Sequence, residues 1–321
     1  MGTSSSNPGP GGSPPLLPPW AGPPGGDGDG DGDGPDENGT GGDDAGDDGG
    51  DDPGNSDDDA QGDGAAPPER SALVGQPTWR STRRLIGAVG SGRVGDGQGR
   101  DYVRSGVRNA VGAMGGARRA AQASPAGRQT ASQFARFLSG VATGGVADAA
   151  RVVGIAEFLN RSADIFLLRL ADALAPPGAL TEDAIARDAM DDTLQELFEQ
   201  LDLANGGVRA LERMTPTMMA DALVRYVINY IYTRVIHALT AHIHAKSQIV
   251  TRMREIERTA RYYIEDAVRL DIDTTAFFGT QGAAFAARWD AGKGQRVIDR
   301  LFEESYRVVE AGLQHSDRGV A

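Results

Sequence analysis

The sequence predicts an all-α protein: a helical bundle-like single domain preceded by a long disordered N-terminal tail rich in Gly, Asp and Pro. Three observations carry this expectation. Apolar residues recur at intervals of three and four from about Asp101 to Leu313, the period of a helix with a buried face. No stretch shows a convincing period-two alternation of the kind a half-buried strand needs. The first 69 residues contain 17 acidic side chains and no Lys or Arg, a composition that cannot bury enough apolar area to order itself.

Taken in order, residues 1–24 are polar and rich in Gly and Pro, with one apolar island at Leu16-Leu17-Pro18-Pro19-Trp20. Residues 25–69 read as an acidic disordered tether that begins with alternating Asp and Gly from Asp27 to Gly34. Glycine has the most backbone entropy to lose and the like charges repel, so a stretch of this kind spans roughly 35 Å on Gly-rich chain statistics, more when charged. Residues 70–100 read as an Arg/Gly-rich linker, and residues 101–315 as the all-helical domain. Val103, Val107, Val111 and Met114 outline its first helix; Phe134, Phe137, Leu138 and Val141 make the next face, and Val152, Val153, Ile155, Phe158 and Leu159 another. Pro176-Pro177-Gly178 ends a helix carrying Phe166, Leu170 and Leu174; Thr181 then reads as an N-cap, with Glu182 and Asp183 suiting the first turn, and Asn205-Gly206-Gly207 ends that helix. Pro216 opens the longest periodic run. Val224, Ile228, Ile231 and Val235 line one stripe and Leu223, Val227 and Tyr230 a neighbouring one, which predicts a helix at the centre of the core. A break is expected near Ala245–Ser247, Asp273–Gly294 reads as irregular, and a last helix carries Val297, Leu301, Phe302, Tyr306, Val309 and Leu313.

Charge is unevenly distributed. The whole chain of 321 residues is −13, but residues 1–69 carry −17 and residues 70–321 carry +4. Within that body, residues 70–128 hold 11 Arg against Asp96 and Asp101, a local +9. A basic stretch of this kind suits phosphate neutralisation, with Arg83, Arg84, Arg104, Arg108, Arg118 and Arg119 the candidate nucleic-acid contacts. Only Trp79 and Tyr102 are available there for base stacking, and the acidic tail competes for the same surface.

With no cysteine, thiol nucleophiles, disulfides and zinc–thiolate sites are excluded. The start lacks a basic and apolar secretory signal, and the most apolar run, Met218 to Ile236, is interrupted by Asp221, Arg225, Asn229 and Arg234. A soluble, cytoplasmic protein that does not enter the membrane is expected. No metal or cofactor is expected either. The Asp-Gly run fails the calcium-loop pattern, because the twelfth position from Asp27 is Asn38. His237, His242 and His244 are spaced by five and two, which puts no pair on one helix face. No G-x-S-x-G elbow and no phosphate-binding Gly-rich loop ending in Lys-Ser/Thr occurs, so the chain is not expected to be an enzyme.

The start of the chain offers a different chemistry. Removal of Met1 exposes the amine of Gly2, and an α-amine with a pKa of about 7.7–8 is a better nucleophile near neutral pH than a lysine. The same start fits the M-G-x-x-x-[ST] acylation pattern, which ranks lower because the Ala, Gly and Arg usage points to a bacterial source.

Met1-Gly2-Thr3-Ser4-Ser5-Ser6, followed by Gly9 to Ala21 with Pro14-Pro15-Leu16-Leu17-Pro18-Pro19-Trp20, resembles the start of QatB proteins, components of bacterial Qat anti-phage defence systems. The resemblance implies three operon partners: an ATPase (QatA), a QueC-like enzyme of 7-deazaguanine chemistry (QatC) and a TatD-like nuclease (QatD). It implies no catalytic activity for the chain itself. It also suggests that Gly2 takes the place of ammonia as acceptor for the QueC-like partner. Thr3, Ser4, Ser5, Ser6, Leu16, Leu17 and Trp20 would then form the recognition segment.

Overall fold

The computed structural model describes residues 77–246, 250–287, 289 and 291–312. The chain divides into Met1–Gln61 and Gly62–Ala321, and all of the described residues belong to the second unit. Twelve α-helices are described, with no strand among those residues. They are α1 (Trp79–Gly90), α2 (Asp96–Ala113), α3 (Ala117–Gln122), α4 (Pro125–Val152), α5 (Ala163–Leu174) and α6 (Thr181–Gln200). There follow α7 (Leu203–Gly206), α8 (Pro216–Lys246), α9 (Val250–Asp271), α10 (Thr274–Phe278), α11 (Ala283–Ala286) and α12 (Ala291–Ala311). The all-α expectation therefore holds for the body; the expected tail lies outside the described residues.

The central helix is α8. It packs against α1, α4, α6, α9, α11 and α12, and Leu223, Tyr226, Val227, Tyr230, Ile231 and Val235 are all fully buried. Burial of a side chain of this size contributes about 1.5–3 kcal/mol, so a helix apolar on more than one side is stable only where neighbours surround it. One hydrophobic core runs from Ile86 of α1 to Val309 of α12, with a small satellite of Leu85, Ala88, Val94 and Tyr102 between α1 and α2.

The stretch 70–100 is not a linker throughout, since it contains α1 and the start of α2. Thr78 begins α1: its Oγ1 accepts from Ser81 N at 3.1 Å, and Thr78 N donates to Ser81 Oγ at 3.0 Å. Thr82, Leu85, Ile86 and Val89 face inward, and α1 lies close on α2, where a Cβ on Gly106 would stand 2.7 Å from Ile86 Cδ1. The glycines that suggested a loop instead permit close helix packing.

Other boundaries move as well. Phe134 to Val152 belongs to α4, which bends at Gly145 (φ 81°), and a 3-10 turn at Ala156–Phe158 follows. The helix resumes with Val146 N donating to Glu212 Oε1 at 3.2 Å, which satisfies a donor freed by the bend. The N-cap of α6 is Leu180 rather than Thr181, and Leu180 N donates to Asp183 Oδ2 at 3.1 Å. Helix α6 stops at Gln200; Asn205 and Gly206 belong to the short α7. Asp273–Gly294 contains α10, α11 and the first turn of α12, which starts before Val297. The expected break near Ala245–Ser247 corresponds to the end of α8 at Lys246.

Candidate functional site

Two polar rows run along α8 at i, i+4, i+8 spacing. The first is Tyr226, Tyr230 and Arg234. Tyr230 OH donates to Glu182 Oε1 of α6 at 2.9 Å, and the same oxygen accepts from Ala126 N at 3.1 Å, so an α6 carboxylate caps the start of α4. Arg234 donates to Ser124 Oγ, to Ala120 O at 3.3 Å and to Tyr230 OH at 3.3 Å. Ser124 Oγ donates to Ala120 O at 2.8 Å and lies 3.4 Å from Tyr306 OH of α12. Tyr226 OH donates to Gly127 O at 3.2 Å, and Gly127 has no room for a side chain, since a Cβ would stand 2.4 Å from the Tyr230 ring. Burial pushes the phenols of Tyr226, Tyr230 and Tyr306 above the usual range, so they remain neutral hydrogen-bonding groups. Ser124 is fully buried. This cluster ties the α3–α4 junction to α6, α8 and α12.

The second row is Asp221, Arg225 and Asn229, joined to α6 and α9. Glu196 of α6 accepts from Arg225 at 3.2 Å and from Arg261 of α9 at 2.9 Å, and Arg261 also donates to Asn229 Oδ1 at 2.9 Å. Asp221 accepts from Arg225 at 2.9 Å and from Arg269 at 3.0 Å. Asn229 Nδ2 donates to Thr193 Oγ1 at 3.1 Å. Asp192 lies 3.6 Å from Arg261, and burial raises its carboxyl above the ordinary value despite that cation. Every charge here has at least one counter-charge, and the lattice holds three helices in register.

The candidate arginines are exposed, but folding alters their surroundings. Arg83 and Arg84 sit on α1, Arg104 and Arg108 on α2, and Arg118 and Arg119 on α3. Arg104 lies 3.6 Å from Asp101, and Arg108 Nε donates to Glu310 O at 3.1 Å. Arg118 lines a hollow together with Arg300, Arg307, Glu303, Glu304 and Glu310 of α12. Arg128 pairs with Asp299 at 2.8 Å. Helix α12, far away in sequence, thus brings carboxylates beside the basic stretch. Gly2, Thr3, Ser4, Ser5, Ser6, Leu16, Leu17 and Trp20 lie outside the described residues.

The histidines do not converge. His242 Nε2 lies 2.7 Å from Arg83 O, while His237 and His244 are exposed. Among the described residues no group of three or more His, Cys, Asp or Glu could hold a metal ion, and no helix is long and apolar enough to cross a membrane.

One concave feature escaped sequence reasoning. A cleft of ≈ 730 Å³ opens between α4, the end of α5 and Trp289. One stripe of α4 forms a wall: Gln133, Arg136, Phe137, Gly140 and Thr143. After the Gly145 bend, α4 supplies Asp148, Ala149 and Val152, and its C-cap Val153 adds to the lining. Ser139 clips the Trp289 loop in place, donating to Ala287 O at 2.8 Å and accepting from Trp289 N at 3.1 Å. The run Gly140, Gly144, Gly145 inside a helical pattern was the available signal, since glycines there mark a bend or a close approach.

The sequence model of the QatB family, described as the Qat anti-phage system associated protein QatB, matches residues 115–309. The matched stretch runs from just before α3 into the last turn of α12, and so contains both polar rows and the cleft. No curated protein and no solved structure matches the chain. A match over this much of the chain, on the stretch that forms most of the core, places it: the chain belongs to the QatB family of Qat anti-phage system associated proteins.

Proposed function

We propose that this component of a Qat anti-phage system acts without catalysis of its own, as an adaptor and as a protein substrate. In this reading its N-terminal Gly2 is bound or modified by a QueC-like partner enzyme. The observation that carries the reading is the separation of two features along the chain. The family match covers residues 115–309, whereas the resemblance at the start covers residues 1–21, outside it. A stretch of Gly, Ser and Pro ahead of the matched residues suits a segment that enters another protein's active site extended.

The chemistry is an acyl transfer. The partner activates a 7-carboxy-deazaguanine with ATP, and the neutral Gly2 amine attacks the activated carbonyl carbon. A C–N bond forms, the activating group leaves with its bonding electron pair, and the surplus amine proton passes to solvent. Thr3 to Ser6 guide the amine, while Leu16, Leu17 and Trp20 fill apolar pockets of the partner. The QatA ATPase and the TatD-like QatD complete the assembly.

The alternative, a helical scaffold on nucleic acid, draws on the local +9 of residues 70–128. The α12 carboxylates beside Arg118 and Arg128 favour the first reading over it. The test is the intact mass of the protein produced with and without its QueC-like neighbour. A mass increase that needs the partner and ATP, and that maps to Gly2, is the expected result. An unchanged mass with no stable complex between the two proteins would remove both halves of the proposal.

A further inference from the structure

The cleft beside Trp289 has the composition of a small-molecule site, and no part of the reading above uses it. Its volume, ≈ 730 Å³, lies within the range of about 300–1,000 Å³ typical of ligand pockets. Aromatic side chains are part of the lining: Trp289, which stacks on Phe285 at 5.1 Å and 24°, and Phe137 of α4. Two polar groups on the same stripe of α4 have unmet capacity. Arg136 is exposed and, among the described residues, no hydrogen bond or ion pair holds its guanidinium, while the carboxylate on the lining, Asp148, pairs with Arg151 at 2.6 Å. The Gln133 carboxamide oxygen is buried without a donor among the described residues. Buried acceptors are nearly always satisfied in folded proteins, so an orphan on a cleft wall, one turn from an exposed cation, points to a missing partner.

We propose that this cleft binds a planar aromatic anion, with its ring against Trp289 and Phe137, its carboxylate, sulfonate or phosphate at Arg136, and an N–H or O–H donating to Gln133. Charge and shape select this class together. A neutral apolar ligand leaves Arg136 without an anion and Gln133 without a donor, and a simple inorganic anion leaves the aromatic surface uncovered. Val152, 85% exposed at the mouth, is where a larger side chain closes the cleft without disturbing the core. The site is independent of the N-terminal segment, so it stands or falls apart from the modification of Gly2.

The test is a fluorescence titration of the full chain with 8-anilinonaphthalene-1-sulfonate, an aromatic sulfonate with one N–H. Saturable binding of one probe per chain is expected, with Kd raised at least tenfold in Arg136→Ala and binding abolished in Val152→Trp. Arg258→Ala, on the exposed face of α9, serves as the control and keeps the wild-type Kd. Circular dichroism establishes that each variant retains the fold. The uncharged N-phenyl-1-naphthylamine separates the two contributions: weaker binding than the sulfonate supports the anion site. Equal binding of the two probes, or sulfonate binding indifferent to both cleft variants, would overturn the proposal.

Discussion

The two polar rows on α8 are one residue out of phase, yet they are built from different chemistry. Tyr226, Tyr230 and Arg234 face the deepest part of the bundle, where both tyrosines are fully buried and the partners are mostly hydroxyls and carbonyls. Asp221, Arg225 and Asn229 face the seam with α6 and α9, where the Asp221 and Arg225 side chains are 36% and 19% exposed and the partners are charged. The difference follows from desolvation. An ion moved into the interior loses several kcal/mol of hydration that its partner must restore, whereas a neutral phenol needs only one good hydrogen bond. Charges therefore gather where water still reaches them, the half-buried Glu182 and Arg234 of the first row included, and the centre is held by Tyr and Ser.

Four substitutions test this contrast, in order of expected effect. Gly127→Ala drives a methyl into the Tyr230 ring and should cost about 3 kcal/mol in denaturant unfolding, the upper end for overpacking. A loss within experimental error would mean that α4 and α8 are not in such close contact. Tyr230→Phe keeps the ring but removes the hydroxyl that Glu182 and Arg234 share, for about 1–2 kcal/mol, and the loss should be indifferent to salt. Glu196→Gln weakens two arginine contacts at the seam and should cost about 1 kcal/mol at low salt, shrinking as salt is raised. A cost that salt leaves unchanged would contradict the assignment of that seam to exposed charge pairing.

The smallest effect is set by pH. A hydrogen bond from Arg187 holds the Asp172 carboxyl below its ordinary value of 3.8. A lowered folded-state pKa stabilises the fold above 3.8, and that stabilisation is lost as pH falls through the lowered value. Asp172→Asn should thus cost about 0.5 kcal/mol at pH 7, because the pair is partly exposed. Thermal melts of wild type and variant should converge on acidification, and a gap that widens instead would reverse the sign.

Helices with a strong apolar period were legible. Val224, Ile228, Ile231 and Val235 marked α8 as central, and all four are buried. Helix α1 was missed because Gly87, Gly90, Gly92 and Gly95 read as loop, although Thr78 and Ser81 begin the helix and Thr82, Leu85, Ile86 and Val89 hold its spacing. The polar rows were hidden for another reason. Ser124, Glu182, Tyr230 and Tyr306 come from four distant parts of the chain, and only packing brings them together. The surroundings of the basic stretch were hidden in the same way, since Asp299 and the glutamates of α12, far away in sequence, are among its neighbours in space.

The most direct test of the central claim is protection against phage by the whole defence system carrying this chain without residues 2–20. The account predicts loss of protection while the protein retains its helical circular dichroism and its melting temperature. Full protection from the shortened chain would contradict it and assign the defence role to the helical body alone.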